Sequence, residues 1–156
     1  MISKDVFSKE LNNSEELSQS RLKTVLQRYQ NTKKIILTHK KCALIQGDVL
    51  DENAFDQELF DLIITSPPYN VDIKYNSHKD DLSYEEYLIF SEKWMRNCFR
   101  WTKNQGRFCL NIPLDKNKGG QKSVGADLTT LAQKIGWKYH STIIWNEGNI
   151  SRRTAW

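Results

Sequence analysis

The sequence predicts an α/β fold, in which helical crossovers connect the strands of a layered sheet. Strand-sized apolar runs bounded by turn residues alternate with longer segments that have helical periodicity. Two strand patterns precede the first helix, and each helix is followed by a run that contains β-branched or aromatic residues. The predicted strands are 42–45, 62–65, 107–112 and 139–145, and the predicted helices are 83–102 and 124–135.

Local signals mark the ends of these elements. The spacing Ser83-x-x-Glu86 is a capping box and predicts that the first helix begins there. Its apolar stripe predicts a helix face that packs on the sheet. Gly106 is expected to turn the chain into the next strand. Gly136 is expected to adopt the left-handed conformation that ends the second helix.

The N-terminal residues 1–34 differ from the rest of the chain. They are polar and rich in charge, with a loose apolar stripe between Ser14 and Gln30. This pattern predicts a polar helical extension whose basic side chains form a solvated face. The chain of 156 residues is long enough for one domain, or for part of one.

Composition limits the classes of function only broadly. The formal net charge of +4 is compatible with binding nucleic acid but does not require it. Cys42, Cys98 and Cys109 lack the paired spacing of a zinc site, so we expect reduced thiols and no metal. No signal peptide or long apolar span is recognised in the sequence. We therefore expect a soluble, cytoplasmic protein that has no contact with a membrane.

The segment Ser66-Pro67-Pro68-Tyr69 follows the apolar run 62–65 directly. Residues that precede proline disfavour the helical conformation, so Ser66 and Pro67 are expected to be extended and the strand to end in a stiff turn. Proline has no amide hydrogen, so this turn offers a hydroxyl and carbonyl oxygens with few competing donors. Such acceptors beside an aromatic ring suit a flat group that bears an NH2. The alternative is a turn that only ends the strand.

The six residues Thr65-Ser66-Pro67-Pro68-Tyr69-Asn70 resemble motif IV of the amino-methylating DNA methyltransferases, in which Asp, Asn or Ser precedes Pro-Pro-Tyr or Pro-Pro-Phe. The resemblance implies that Ser66 and the carbonyl of Pro67 accept hydrogen bonds from the target amine, within a catalytic turn that includes Pro68. It also implies that Tyr69 stacks on a base flipped out of double-stranded DNA. Preorganised acceptors would stabilise the positive charge that develops on the attacking amine.

Asp48 follows the predicted strand 42–45, which is expected to be short and buried, in the segment Gln46-Gly47-Asp48. Ligands of α/β sheets bind beyond the carboxyl ends of the strands, where an acidic residue can bind a ribose or a base. The resemblance implies that Asp48 lies beside the adenine of S-adenosylmethionine and that Thr65 is a second cofactor contact. A plain Gly-Asp turn is the alternative.

The resemblance extends over residues 42–156 in the motif order of the β-class enzymes, whose catalytic motif precedes the main cofactor motif. It implies a partial Rossmann-like sheet of an S-adenosylmethionine-dependent methyltransferase with flanking helices, and it makes 35–156 the catalytic-motif half of that domain. The family's Phe-x-Gly-x-Gly cofactor loop is absent from these 156 residues. We therefore expect an N-terminal fragment, a truncated product or one half of a split enzyme, inactive unless further sequence or a second chain supplies the cofactor-binding half.

The expected function is site-specific methylation of a base amine in a restriction-modification system, with N4 of cytosine preferred over N6 of adenine. Two alternatives stay open. One is methylation of RNA or of a protein glutamine, and the other is a noncatalytic remnant or binding module that has kept the turn. The loops 72–81 and 115–122 contain lysines that could contact DNA phosphates or only face solvent.

Overall fold

The structure is a computed structural model that describes residues 16–17, 19–20, 22–27, 35–39, 42–70, 82–113 and 122–145. The chain divides into two compact units between Ala54 and Phe55. The separation of a 1–34 extension from a 35–156 domain is not tested by this division and stays a prediction. The elements in chain order are α1 (described residues within 16–27), β1 (Ile35–His39), β2 (Cys42–Ile45), β3 (Phe60–Thr65), α2 (Tyr84–Trp101), β4 (Thr102–Leu110) and α3 (Val124–Ile135).

In the first unit, β1 and β2 form an antiparallel pair. His39 pairs with Cys42 beside the connection, and Ile35 pairs with Ile45 at the other end. The sequence pattern does not predict β1, because the connecting residues 40–41 are both lysines and carry none of the usual Gly, Asn or Asp hairpin signals. The described residues of α1 are helical, as the stripe between 14 and 30 predicts.

β2 occupies the predicted residues, but the prediction that it is buried is wrong. Its residues alternate between exposed and half-buried, and Leu44 is 56% exposed. Among the described strands, β2 pairs with β1 alone. An antiparallel pair of this kind can leave one face open to water, whereas the strand of a covered parallel sheet cannot.

The second unit contains a parallel pair, β3 and β4, with α2 between them in the chain. Thr65 pairs with Leu110, and the Asn111 amide donates to the Thr65 carbonyl at 2.9 Å, so the pairing continues to the last residue before the turn. A parallel pair joined through a helix is an α/β arrangement, which confirms the predicted α/β class. Two strands are too few to identify a Rossmann-like sheet.

The two faces of the β3–β4 sheet have opposite surroundings. Ile63 and Phe108 lie on one face and pack against the buried side chains of α2. The other face, called the outer face below, is open to solvent. It is formed by Leu62, Ile64, Arg107 and Cys109.

α2 begins and ends where its sequence signals predict. The Glu86 amide donates to Ser83 Oγ at 3.2 Å and the Ser83 amide donates to Glu86 Oε2 at 2.9 Å, which confirms the capping box. At the other end, Thr102 Oγ1 donates to the Cys98 carbonyl at 2.8 Å. Burial raises the pKa of the Cys98 thiol to about 11, so this thiol stays protonated within the core. The predicted core face includes the buried residues Tyr87, Trp94, Met95 and Cys98.

The capping box should make folding sensitive to acid. Hydrogen bonds from Ser83 hold the pKa of the Glu86 carboxyl below its ordinary value of 4.5. A carboxyl whose pKa is lowered by folding contributes stability above its unfolded pKa, and this contribution is lost as the pH falls through the folded pKa. Glu86→Gln is therefore expected to lose less stability than the wild type on acidification below pH 4.5.

Urea unfolding at neutral pH and below pH 4.5 measures this difference. Glu85→Gln is the matched control, because Glu85 lies in the same helical turn but outside the capping box. An equal acid-induced loss of stability in the wild type and in Glu86→Gln would contradict the prediction.

β4 differs from the predicted strand, since it covers 102–110 rather than 107–112 and contains Gly106 instead of following it. The pairing with β3 shifts register between Phe60 and Leu62, so β4 bulges there. A Cβ atom on Gly106 would lie 2.9 Å from the Lys103 carbonyl oxygen and 3.2 Å from that of Asp61. The Thr102 side chain lies closer still, so the glycine is needed because the bulge leaves no room for a Cβ atom, and not because it forms a turn before the strand.

α3 has the predicted bounds, and Gly136 ends it with a φ of 128°. The Gly136 amide donates to the carbonyl oxygens of Ala132 and Gln133 at 3.2 and 3.1 Å. The positive φ predicted for this glycine is confirmed. Val124 and Leu128 of α3 are fully buried against Tyr87 of α2.

The strand predicted at 139–145 is not found, because these residues have no regular secondary structure. Ile143, Ile144 and Trp145 are 92, 69 and 87% exposed. β-Branched residues favour a strand only where a neighbouring strand supplies hydrogen bonds and packing. None of the described strands pairs with this segment, so its strand-forming residues do not form a strand.

Candidate functional site

The turn after β3 presents the residues that the sequence singles out. Ser66 is exposed, Pro67 is buried, and Pro68 and Tyr69 are half-buried. Because β3 is paired up to Thr65, the start of the turn is held at the carboxyl end of a parallel strand. This is the end of the sheet at which ligands of α/β proteins bind. The Ser66 hydroxyl is accessible there, while the first proline anchors the turn.

A short hydrogen bond joins the two ends of the turn. Ser66 Oγ and Tyr69 Oη lie 2.6 Å apart, and either atom could be the donor. A serine hydroxyl has two lone pairs, so Ser66 can accept a further hydrogen bond from a ligand while it contacts Tyr69. The turn thus brings an oxygen acceptor and an aromatic ring together, although the predicted roles of these residues stay untested.

Asn70, to which the motif alone assigns no role, anchors the C-terminal end of the turn. It has a φ of 55°, is 2% exposed, and donates from Nδ2 to the Leu82 carbonyl at 2.8 Å. Asparagine is one of the few residues besides glycine that adopt this left-handed conformation readily. An asparagine directly after a proline turn is the available sequence signal. Its partner, twelve residues further on, could not be read from the sequence.

A second contact that the sequence did not reveal joins the starts of α2 and α3. Tyr84 Oη donates to Asp127 Oδ2 at 2.6 Å, and Lys122 Nζ lies 5.5 Å from the centre of the Tyr84 ring. Burial, and then the hydrogen bond to Asp127, raise the pKa of the Tyr84 phenol, which therefore stays a donor at neutral pH. With the Asn70–Leu82 bond, this contact stabilises the region to which the turn is attached.

Asp48 and Thr65, the predicted cofactor contacts, belong to different units of the chain. Asp48 is exposed after β2, and its Oδ1 accepts a hydrogen bond from the Leu50 amide at 2.9 Å. A carboxylate offers about four acceptor sites, so Asp48 can also bind a ribose hydroxyl or an adenine amine and fits the predicted cofactor. Thr65 is half-buried, and its carbonyl accepts from the Asn111 amide. Its side-chain hydroxyl is the candidate cofactor contact.

Other predicted features lie outside the described residues. These are the loop 72–81 and residues 115–121 of the loop 115–122. Within the described ranges, no group of three or more His, Cys, Asp or Glu residues is arranged to hold a metal ion. No helix in that part of the chain combines the length and the apolar character needed to cross a membrane.

The model of one protein family matches the segment that contains the turn. This family is that of the N6 and N4 DNA methylases, and the match covers residues 60–155. The chain belongs to the DNA methylase family. The matched segment begins with β3 and includes the turn, α2, β4 and α3. The resemblance to amino-methyltransferases of restriction-modification systems is confirmed.

Three type II methyltransferases are similar to this DNA methylase chain. It is 56% identical over 113 residues to M.MjaVI of Methanocaldococcus jannaschii, a match that covers 72% of this chain and 58% of the relative. It is 36% identical over 121 residues to M.ScaI of Streptomyces caespitosus, a match that covers 77% of this chain and 36% of the relative. It is 33% identical over 96 residues to M.HpaI of Haemophilus parainfluenzae, a match that covers 62% of this chain and 27% of the relative. No solved structure matches the chain.

This DNA methylase chain therefore spans little more than half the length of M.MjaVI and a smaller share of the other two relatives. Asp48 lies before the segment that the family model matches, whereas Thr65 and the turn lie within it.

Proposed function

We propose that this chain supplies the catalytic turn of a site-specific DNA methyltransferase, which transfers a methyl group from S-adenosylmethionine to the exocyclic amine of a flipped base. N4 of cytosine is the preferred target over N6 of adenine. The observation that carries the proposal is the exposed Ser66 hydroxyl beside the half-buried Tyr69, on a turn held by two prolines. The turn lies within the segment that matches the DNA methylase family.

The chemistry requires acceptors at the target amine. That amine is a weak nucleophile because its lone pair is delocalised into the base. As the nitrogen attacks an electrophilic carbon it becomes positively charged, and acceptors already in place stabilise this charge. Ser66 Oγ and the Pro67 carbonyl each accept one N–H group of the amine. When bound, S-adenosylmethionine would supply the electrophilic methyl group, and its sulfonium would become a neutral thioether as the bond from sulfur to methyl breaks. The charged amine would then lose one N–H proton.

Tyr69 offsets the cost of bringing the base into the site. Extruding a base from a duplex costs a few kcal/mol, and stacking on an aromatic ring returns about 1–3 kcal/mol. Tyr69 is half-buried, so the protein holds the ring while part of it stays accessible to a base. Asp48 and Thr65 are the residues that would bind the cofactor, and the Asp48 carboxylate could accept a hydrogen bond from a ribose hydroxyl or an adenine amine.

The cofactor-binding half of the enzyme comes from further sequence or from a second chain. The 156 residues contain no Phe-x-Gly-x-Gly segment, and the matched relatives are longer than the region they share with this chain. Leu62 and Ile64 on the outer face are 49 and 69% exposed. Parallel sheets are normally covered on both faces, so this exposure supports the presence of additional covering structure in the complete enzyme.

The acceptor is tested with the complete methyltransferase, in which this chain is combined with the sequence or partner that supplies the cofactor-binding half. Duplex DNA, RNA and a glutamine-containing protein are incubated with methyl-labelled S-adenosylmethionine. We expect label in duplex DNA, and mass spectrometry of the nucleosides to find N4-methylcytosine. Preferential labelling of RNA or protein would contradict DNA as the substrate, and N6-methyladenine would overturn the choice of base.

A noncatalytic remnant is the second candidate, and the absence of the Phe-x-Gly-x-Gly segment is the observation that favours it. Calorimetric titration of the 156-residue chain with S-adenosylmethionine is expected to show weak or no binding. Tight binding would contradict the need for a second half. Methyl transfer after that half is added supports the enzyme, whereas duplex binding without transfer supports the remnant.

A further inference from the structure

Ser66 has to act as an acceptor in the proposed reaction, yet its hydroxyl also carries a hydrogen. A serine hydroxyl has one O–H donor and two lone pairs, and it rotates freely. The target amine presents N–H donors, because its own lone pair is delocalised. If the Ser66 hydrogen pointed at the amine, two donors would face each other. The Ser66 hydrogen therefore needs an acceptor elsewhere.

Among the described residues, the Tyr69 hydroxyl is an acceptor within reach, because its Oη lies 2.6 Å from Ser66 Oγ. This is a short distance for a hydrogen bond between two hydroxyl groups. The two residues between them are prolines, which have no amide hydrogen that could donate to either oxygen. Within the turn, the backbone thus leaves the Ser66–Tyr69 hydrogen bond without a competing donor from the intervening residues.

We propose that the Tyr69 hydroxyl accepts the Ser66 hydrogen and so keeps a lone pair of Ser66 Oγ available to the target amine. The proposal rests on the proposed function and gives the Tyr69 hydroxyl a role separate from stacking by its ring. This hydroxyl acts through Ser66 rather than on the base, so it is a positioning group.

The backbone on both sides of this pair is held in place. β3 is paired up to Thr65, directly before Ser66. Asn70, directly after Tyr69, is buried and bound to the Leu82 carbonyl at 2.8 Å. The backbone that carries the two hydroxyl groups is therefore held in place before a base arrives. Acceptors that are oriented in advance need no reorganisation as charge develops on the amine.

Tyr69→Phe in the complete methyltransferase removes the hydroxyl and keeps the aromatic ring, so it tests the two roles separately. We expect kcat to fall about tenfold, the effect of losing one neutral hydrogen bond that matters in the transition state. KM for duplex DNA should change less than about twofold, because the phenylalanine ring still stacks on the base. Steady-state kinetics at saturating S-adenosylmethionine measure both constants, and thermal unfolding confirms that the variant is folded.

The effect of Tyr69→Phe is then measured a second time, in a protein that already carries Ser66→Asp. An ionised carboxylate has acceptors only, so it needs no partner for a hydrogen. In this background, adding Tyr69→Phe is expected to cause no further loss of kcat. If Ser66→Asp has no measurable activity, the same comparison is made with Ser66→Ala, where the second substitution is again expected to have no effect.

Three outcomes would overturn the proposal: a wild-type kcat in Tyr69→Phe, a raised KM with unchanged kcat, or an equal loss of kcat in the Ser66→Asp background. The second outcome would assign the hydroxyl to base binding, and the third would assign it to a group other than Ser66. Failure of the proposed function has a different signature, since the wild-type enzyme would then label RNA or protein or transfer no methyl group, and DNA methylation that survives both Ser66→Ala and Tyr69→Ala would show that this turn is not the active site.

Discussion

Ser66→Ala is expected to lower kcat of the complete methyltransferase by about a hundredfold to a thousandfold, the effect of removing one preorganised group that stabilises developing charge. The Ser66 hydroxyl is exposed at the end of a paired strand and lies 2.6 Å from Tyr69 Oη. In the proposed reaction this hydroxyl contacts the amine that becomes charged, so we expect it to contribute mainly to the transition state. KM for DNA should therefore change less than kcat. Single-turnover methylation of a duplex with one site measures the loss.

Ser123→Ala is the matched control for this experiment. Ser123 is exposed and precedes α3, and its side chain makes no capping hydrogen bond there. Its replacement should leave kcat unchanged, although it alters the same chemical group. Methylation by Ser66→Ala at the rate of Ser123→Ala would show that the turn after β3 is not the active site.

Asn70→Val is expected to lower the free energy of unfolding by about 2–4 kcal/mol, since a β-branched residue is strained at positive φ and the bond to a partly buried carbonyl is lost. Asn70 has a φ of 55°, is 2% exposed and donates to the Leu82 carbonyl. The substitution should also reduce methylation by the complete enzyme, because the turn loses its attachment to the start of α2. Urea unfolding of the 156-residue chain measures the change in stability.

Asn70→Gly separates the two causes. Glycine adopts positive φ without strain but cannot form the hydrogen bond, so it should lose only about 1–2 kcal/mol. A larger loss in Asn70→Val than in Asn70→Gly would confirm that backbone conformation contributes. Wild-type stability in both variants would mean that Asn70 does not hold the turn.

Elements with strong local signals were predicted well. The capping box of Ser83 and Glu86 marks the start of α2, and Gly136 marks the end of α3. These signals act within one helical turn, where the partners of each hydrogen bond are fixed by their spacing along the chain. The segment Ser66-Pro67-Pro68-Tyr69 is similar, because proline restricts its own backbone and that of the preceding residue.

Features that depend on distant partners were predicted less well. The segment 139–145 has strand-forming residues but no described strand to pair with. β2 has an apolar sequence but lies in an antiparallel pair, where its side chains are exposed or half-buried. Gly106 was assigned to a turn, whereas it lies in a bulge where the Thr102 side chain and the Lys103 carbonyl leave no room for a Cβ atom.

The sequence by itself determined the stiff proline turn after a strand, the helix boundaries and membership of a recognisable family, because these depend on neighbouring residues and on a linear motif. Tertiary structure alone decided which groups hold the turn in place. Asn70 binds Leu82 across twelve positions, and Tyr84 binds Asp127 across 43. Tyr84 meets Asp127 because α2 packs on α3, and Asn70 meets Leu82 where α2 packs on the β3–β4 sheet. That packing depends on the whole core rather than on any short segment.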